Sequence, residues 1–233
     1  MIKLPKRLET IVTMVPPCHT VADIGCDHAY VSIALRERGK AERVLACDVR
    51  PGPLEQAKAN IARAGLTDSI ETRLGDGLQP VQTGEADTVI IAGMGGELML
   101  RILAGREADF SRFVLSPQSD IAHVRESLLQ KGLRFTDEVM LRDEGKFYVI
   151  FCLTQGGGGL SEALREISDS RVAILPERIL YTYGWLLLSR RDQVLQEFLQ
   201  REMQRYEGIL EKTEKAEIRQ AYEDCRAAME VYT

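Results

Sequence analysis

The chain has 233 residues, 45% of them hydrophobic, and a formal net charge of -5. That length suits one domain of ordinary size plus an appendage, with enough apolar residues for a real core, and the charge excludes a broad polybasic nucleic-acid clamp while leaving room for a local basic face. No apolar run of membrane-spanning length is present, and the opening MIKLPKRLET lacks the apolar stretch of a secretory signal, so a cytoplasmic protein without membrane attachment is expected.

The five cysteines, Cys18, Cys26, Cys47, Cys152 and Cys225, contain no C-x-x-C pair, which is the pattern of reduced thiols. Cys18, His19, Cys26 and His28 match no zinc spacing, so no metal is expected.

In chain order, Leu4, Leu8, Ile11 and Val15 fall on one helical stripe, which predicts an amphipathic helix over 4–15. Lys3, Lys6 and Arg7 read as its solvated face. Val21–Ile24 is a short apolar run ending in Gly25, and Tyr30–Arg38 is a helix stopped by Gly39. The unit repeats: a strand at 43–47, a helix from Pro53 carrying Leu54, Ala57, Ile61 and Ala64 on one face, and a strand at 70–74. Further strands are predicted at 88–92 and 113–115, a short helix at 97–104, and a helix capped by Ser119 or Asp120 that carries Ile121, Val124 and Leu128.

Alternating strands and helices imply a parallel sheet covered on both faces. The next two strands, 135–141 and 147–153, are separated only by a polar connection containing Gly145, so they predict an antiparallel hairpin. The run Gly156–Gly159 reads as a flexible connector between a domain at 1–155 and a helical, coiled-coil-like domain at 160–233. Two apolar seams define the latter, one through Val194, Leu195, Phe198, Leu199, Tyr206 and Leu210, the other through Ile218, Tyr222, Cys225, Met229 and Tyr232. From Gly156 onward there are 11 basic and 14 acidic residues, a balance of -3.

Ligands of open parallel sheets bind beyond the carboxyl ends of the strands, so the turns carry the chemical reading. The first turn offers Asp23, Gly25, Cys26 and Asp27, the second Asp48 followed by Val49, the third Asp76, Gly77 and Leu78, and the fourth Gly93, Met94 and Gly95. The dinucleotide fingerprint G-x-G-x-x-G is absent, and Asp27 would repel a phosphate. Asp48 stands 25 residues beyond Asp23, near the spacing of a carboxylate that holds ribose hydroxyls. An acidic crevice suits S-adenosylmethionine, which has a sulfonium and no phosphate. The fifth turn, Ser116-Pro117-Gln118-Ser119-Asp120, offers amide and hydroxyl groups to a base edge or simply caps a helix.

At these residues the sequence resembles the bacterial tRNA (adenine22-N1)-methyltransferases: DIGCDHAY at 23–30, GDGL at 75–78, AGMGGE at 92–97, SPQSD at 116–120 and EGKFY at 144–148. The chain departs from that family at Cys26, where a small residue such as serine is expected, and near Ser32, where proline is expected. The resemblance implies a class I methyltransferase, Rossmann-like fold whose mostly parallel sheet ends in an antiparallel hairpin, S-adenosylmethionine as cofactor, tRNA as partner, and methyl transfer to N1 of an adenine. For the acceptor side it points to Asp27 and Asp120 as carboxylates near the adenine amine, to His28 and Tyr30 beside them, and to Gln118 as a reader of the base edge. The helical domain is then a tRNA grip or a dimerisation element. Alternatives from the residues alone are a methyltransferase acting on a small molecule or protein, a nicotinamide-dependent oxidoreductase, which the missing glycine fingerprint disfavours, and a non-enzymatic adaptor built on the helices.

Overall fold

A seven-stranded sheet organises the computed structural model, which describes residues 2–233. In chain order the elements are α1 (Lys6–Met14), β1 (Cys18–Ile24), α2 (Tyr30–Glu37), β2 (Ala41–Asp48), α3 (Pro51–Arg63), β3 (Ile70–Leu74), β4 (Thr88–Ala92), α4 (Gly96–Leu103), β5 (Arg112–Ser116), α5 (Ile121–Gln130), β6 (Leu133–Asp143) and β7 (Lys146–Gln155). The strands lie in the order β3-β2-β1-β4-β5-β7-β6. The first five are parallel, and β7 runs antiparallel to both β5 and β6. The parallel sheet is the one that alternating strands and helices predict, the hairpin is the one its short connection predicts, and together they form the Rossmann-like arrangement that the family resemblance implies.

Strand alternation divides the apolar side chains between the two faces. Ala22, Ile24, Val89, Ile91, Phe113 and Leu115 join one core, together with residues of α4 and α5. Val21, Val44, Ile90 and Val114 join the other, covered by α1, α2 and α3 through Ile11, Leu35 and Ile61. Because β1 to β5 are parallel, their carboxyl ends all meet one edge of the sheet. The hairpin turns at that same edge through Glu144 and Gly145, both at positive φ (48° and 78°), the pair of left-handed conformations that a tight two-residue turn requires.

The C-terminal helices are α6 (Leu160–Arg165), α7 (Ser170–Ala173), α8 (Glu177–Tyr183), α9 (Trp185–Ser189), α10 (Gln193–Leu210) and α11 (Ala216–Met229). Helices α10 and α11 run antiparallel, as shown by Cys225 against Leu199 and by the Tyr232 hydroxyl donating to the Asp192 carbonyl. Their buried stripe, Leu195, Leu199, Cys225 and Ala228, merges with the core of the sheet. Trp185 completes that junction, packing edge-on against Phe135 at 4.9 Å between ring centroids.

Two local readings are corrected. The run Gly156–Gly159 is no loose connector: Gly157 N donates to the Gly132 carbonyl at 2.8 Å, and a Cβ on Gly157 would overlap the Leu133 carbonyl, so glycine permits the backbones to touch. Asp120 occupies the N-cap position of α5, but at φ 55° its side chain makes no capping bond. A cap needs extended backbone to aim its oxygen at the first turn. Here the carboxylate instead accepts from Ser119 Oγ at 2.6 Å.

A buried ion pair fastens the helices to the sheet. Arg125 of α5 (2% exposed) and Glu138 of β6 (1% exposed) are linked by Nε and Nη2 to one carboxylate oxygen, at 2.9 and 2.6 Å. Arg125 Nη1 donates to the carbonyls of Tyr181 and Thr182 in α8 at 2.5 and 2.8 Å. Burial pushes the Glu138 carboxyl above its ordinary range, against the pull of the guanidinium. Arg125→Met should therefore lower the unfolding free energy by about 3–5 kcal/mol by stranding a buried carboxylate. Denaturant titration measures this, and adding Glu138→Leu should recover most of the loss.

Candidate functional site

The carboxyl ends of β1, β2, β3 and β4 enclose a cleft of about 420 Å³. Each wall comes from a turn whose local sequence explains its shape. After β1 the chain reverses through Gly25, Asp27 and Ala29 at φ 74°, 51° and 60°, three left-handed residues in five. Only glycine takes that conformation freely. The turn is held by the Cys47 carbonyl, which accepts from the N–H groups of Gly25 and Cys26 at 2.9 and 3.0 Å. Asp48 Oδ2 accepts from Asp27 N at 3.2 Å, and Asp48 Oδ1 from Arg50 N at 2.9 Å. Strained backbone of this kind persists where the surroundings over-determine it and is commonly found at functional sites.

Asp23 and Asp48 are each 5% exposed at the floor. Asp23 accepts from the Ser32 hydroxyl at 2.6 Å. Burial nevertheless raises its carboxyl to about 6, and the nearby Asp48 adds to the rise. Cys26 also lines the cleft, and burial followed by the surrounding carboxylates pushes its thiol up, so it stays protonated and inert. Asp27 stands at the mouth, with Oδ2 3.7 Å from His28 Nε2 and Oδ1 4.0 Å from Arg50 Nη2. His28 and Tyr30 sit beside it with ring centroids 5.7 Å apart. Val49, Asp76, Gly77, Gly93 and Met94 complete the walls expected from the sequence.

Three expected site residues lie elsewhere. Leu78 is 3% exposed, its side chain in the core, and it lines a neighbouring cleft with Asp76 and Gly77. Gly95 is at the N-cap of α4 with φ -63°, a conformation open to any residue. Asp120 lines neither this cleft nor the next. Gln118 is intermediate: it lines a second cleft of about 450 Å³ with Tyr148 and Phe198, while its Nε2 lies 3.9 Å from where a Cβ on Gly93 would be. The glycines of 93–96 differ in purpose. Gly93 (φ 84°) needs its conformation, whereas Gly96 needs its size, since a Cβ there would overlap Val124 and the Ser119 carbonyl.

Sequence reasoning missed Arg7 and Arg50, both of which line the cleft. Arg50 was detectable as the residue following the Asp48 turn. Arg7 looked like one more solvated cation, yet its guanidinium lies over the Tyr148 ring at 5.1 Å and its Nη1 is buried without a partner.

The donor set fits a cationic sulfur nucleoside. Carboxylates dominate the floor and mouth, where a phosphate would be repelled, and an enclosed guanidinium N–H lacks an acceptor. Among the described residues no cluster of three His, Cys, Asp or Glu is placed to hold a metal ion.

The fold and this cleft define a nucleotide-binding methyltransferase domain, and the family described as "Methyltransferase domain" matches residues 4–151. A tRNA (adenine(22)-N(1))-methyltransferase of Bacillus subtilis is 38% identical over 158 residues, which span 66% of this chain and 66% of that protein. A Streptococcus pneumoniae protein assigned to tRNA (m1A22) methylation and crystallised with S-adenosyl-L-methionine is 30% identical, with a TM-score of 0.82 over 100% of both chains. The crystal structure of the B. subtilis M1A22 tRNA methyltransferase gives 29% identity and a TM-score of 0.78, covering 99% of this chain and 97% of that one. The chain belongs to the tRNA (adenine22-N1)-methyltransferase family.

Burial of Asp23 gives the floor of the cleft a charge that changes with pH. Its carboxyl is raised to about 6, so below that pH it is protonated in the free protein and the proton must leave for a cationic ligand to gain its charge. Affinity for S-adenosylmethionine should hold above pH 7 and fall by up to roughly tenfold per unit below 6. Asp23→Asn should weaken binding at pH 8 and flatten the profile, as read by calorimetry across pH 5–8.

Proposed function

We propose that this protein transfers a methyl group from S-adenosylmethionine to N1 of an adenine in tRNA, the adenine at position 22. One observation carries the reading: a cleft with Asp23, Asp27, Asp48 and Asp76 at the ends of successive parallel strands, in a chain that aligns end to end with a relative crystallised with that cofactor.

The cofactor supplies an activated methyl on a sulfonium, so the protein's work is binding, orientation and charge placement rather than proton transfer. Asp48, fixed by the backbone N–H groups of Asp27 and Arg50, faces the nucleoside end, with Val49, Asp76 and Gly77 alongside. Asp23 supplies negative charge from the floor, and the Gly25 and Gly93 turns let backbone approach closely, with Cys26 and Met94 filling the walls between. Alignment of the reactants accounts for much of the barrier lowering in a reaction of this kind.

N1 of adenine is an unprotonated nucleophile at neutral pH, and the base becomes cationic on methylation. A carboxylate near its exocyclic amine favours that developing charge. Asp27 fills this role, since its carboxylate is at the mouth, whereas Asp120 is directed at Ser119. His28 stands beside Asp27, Tyr30, 40% exposed, offers a stacking face, and Gln118 stands next to Gly93 to read the base edge. The target adenine must leave its stack to reach the cleft, and the C-terminal helices beside the hairpin provide the surface for the rest of the tRNA.

Mass spectrometry of nucleosides from tRNA incubated with enzyme and cofactor should show N1-methyladenosine, lost when adenine 22 is replaced by guanine. Asp27→Ala should cut turnover by about 10²–10³-fold while leaving cofactor affinity within about threefold, since one exposed charge contributes little to binding. Methylation of a small molecule or protein, with tRNA untouched, would overturn the assignment.

A further inference from the structure

A second cleft, of about 450 Å³, opens where the hairpin of β6 and β7 meets α5, α8 and α10. The proposed transfer uses none of it except Gln118. Its chemistry is the reverse of its neighbour's. Four carboxylates line the first cleft, whereas the charged residues lining the second are both basic, Arg125 and Lys146. Arg125 is committed to Glu138 and to the end of α8, so the open charge is that of Lys146, exposed on the rim. The walls are aromatic. Phe147 meets Phe198 of α10 edge-on at 5.2 Å between ring centroids, Tyr148 lies under the Arg7 guanidinium at 5.1 Å, and all three rings are only half-buried. The two clefts are one side chain apart. Gln118 lines the second, and its Nε2 lies 3.9 Å from where a Cβ on Gly93 of the first would stand. Arg7 lines the first while resting on Tyr148, which lines the second.

Resting on the reading given under Proposed function, we infer that the second cleft binds the base of a nucleotide adjoining the target adenine in the tRNA chain. Drawing one base out of its stack takes a stacking partner from its neighbour, and half-buried rings offer a surface on which an unstacked base of any identity can lie. A space of about 450 Å³ is within the roughly 300–1,000 Å³ of ligand pockets. The target base has to reach the methyl group in the first cleft, and Gln118 and the Arg7–Tyr148 stack separate that point from the second. A base one step along the chain spans this partition, with its sugar and phosphate passing over it. Lys146 is placed to meet that phosphate, and Arg142 and Arg201, each 5.9 Å from the centre of the Phe147 ring, extend the basic rim. The carboxylates of the first cleft repel the same backbone, so charge and shape favour one path for the RNA.

The test uses tRNAs with an abasic nucleotide on one or the other side of adenine 22. Each is compared with intact tRNA in steady-state methylation by the wild type and by Phe198→Leu, which removes a ring and keeps apolar bulk. With the wild type, one of the two abasic tRNAs should show a KM raised about tenfold, the size of one base–aromatic stack. Phe198→Leu should raise KM for intact tRNA by a similar factor and leave KM for that abasic tRNA within about twofold of the wild-type value, since both changes remove the same contact. Phe198 lies outside the first cleft, so unchanged calorimetric affinity for S-adenosylmethionine certifies that the variant is folded. An unchanged wild-type KM for both abasic tRNAs overturns the inference without recourse to any variant. So do losses that multiply when the variant meets the abasic tRNA, which mark a disturbed RNA fold. A Phe198→Leu defect confined to kcat and equal on all three tRNAs overturns it by placing the target adenine itself in the second cleft, and a variant that methylates all three like the wild type overturns it by leaving that cleft to a ligand other than RNA. A wild-type protein that methylates no adenine in intact tRNA overturns the proposed function itself.

Discussion

Concentrated negative charge at one edge of the sheet is the constraint around which this molecule is built. Asp23 and Asp48 sit almost fully out of water at the ends of adjacent parallel strands, where burial of a charge is expensive unless it is compensated. The protein answers mainly with hydrogen bonds: the Ser32 hydroxyl for Asp23, and two backbone N–H groups for Asp48, to which the Arg50 guanidinium adds a counter-charge at 3.9 Å. Those bonds hold the left-handed turn after β1 and the start of α2, so the electrostatics of the cleft and the local fold are one arrangement. The negative charge left uncompensated favours a cation over an anion in this cleft.

The second organising interaction lies on the opposite face. Arg125 and Glu138 are charges inside an apolar junction, with aromatic cover from Phe151, 5.1 Å from the guanidinium. Because Arg125 also holds the last carbonyls of α8, it satisfies a helix end that would otherwise be buried unpaired. Gly184 follows directly, and any Cβ there would strike the Glu138 carboxylate. Sheet, α5 and C-terminal helices thus share one polar knot surrounded by Trp185, Leu187 and Leu188.

Much of this was legible in the residues, for physical reasons that differ by element. Strands β3 and β4 fall at 70–74 and 88–92 as predicted, β4 because its run Val89–Ala92 is continuously apolar and β3 although only Ile70 and Leu74 of its five residues are apolar. The hairpin strands are longer than expected, 133–143 and 146–155, since charged residues such as Arg142 and Lys146 continue the pairing beyond the apolar stretch. The carboxylates Asp23, Asp48 and Asp76 were readable because strand ends in parallel sheets share an edge. Arg7 was not: its partners Gly93 and Tyr148 are distant in sequence, and a cation in the first turn of an amphipathic helix has no local mark of burial. Asp120 was misread as a cap because residue type suggests a role that its backbone conformation then denies. Leu78 was expected at the cleft from its place in the GDGL motif, and its side chain is buried in the core beside Asp76 and Gly77.

The docked glycines at 156–159 have a mechanical consequence. Had that stretch been slack, the helices could shift relative to the cleft. With Gly157 bonded to Gly132 and the junction packed beneath it, the two halves behave like the jaws of a fixed caliper. The spacing between the helices and the cleft is then set by the packing of a protein interior and not by the length of a linker.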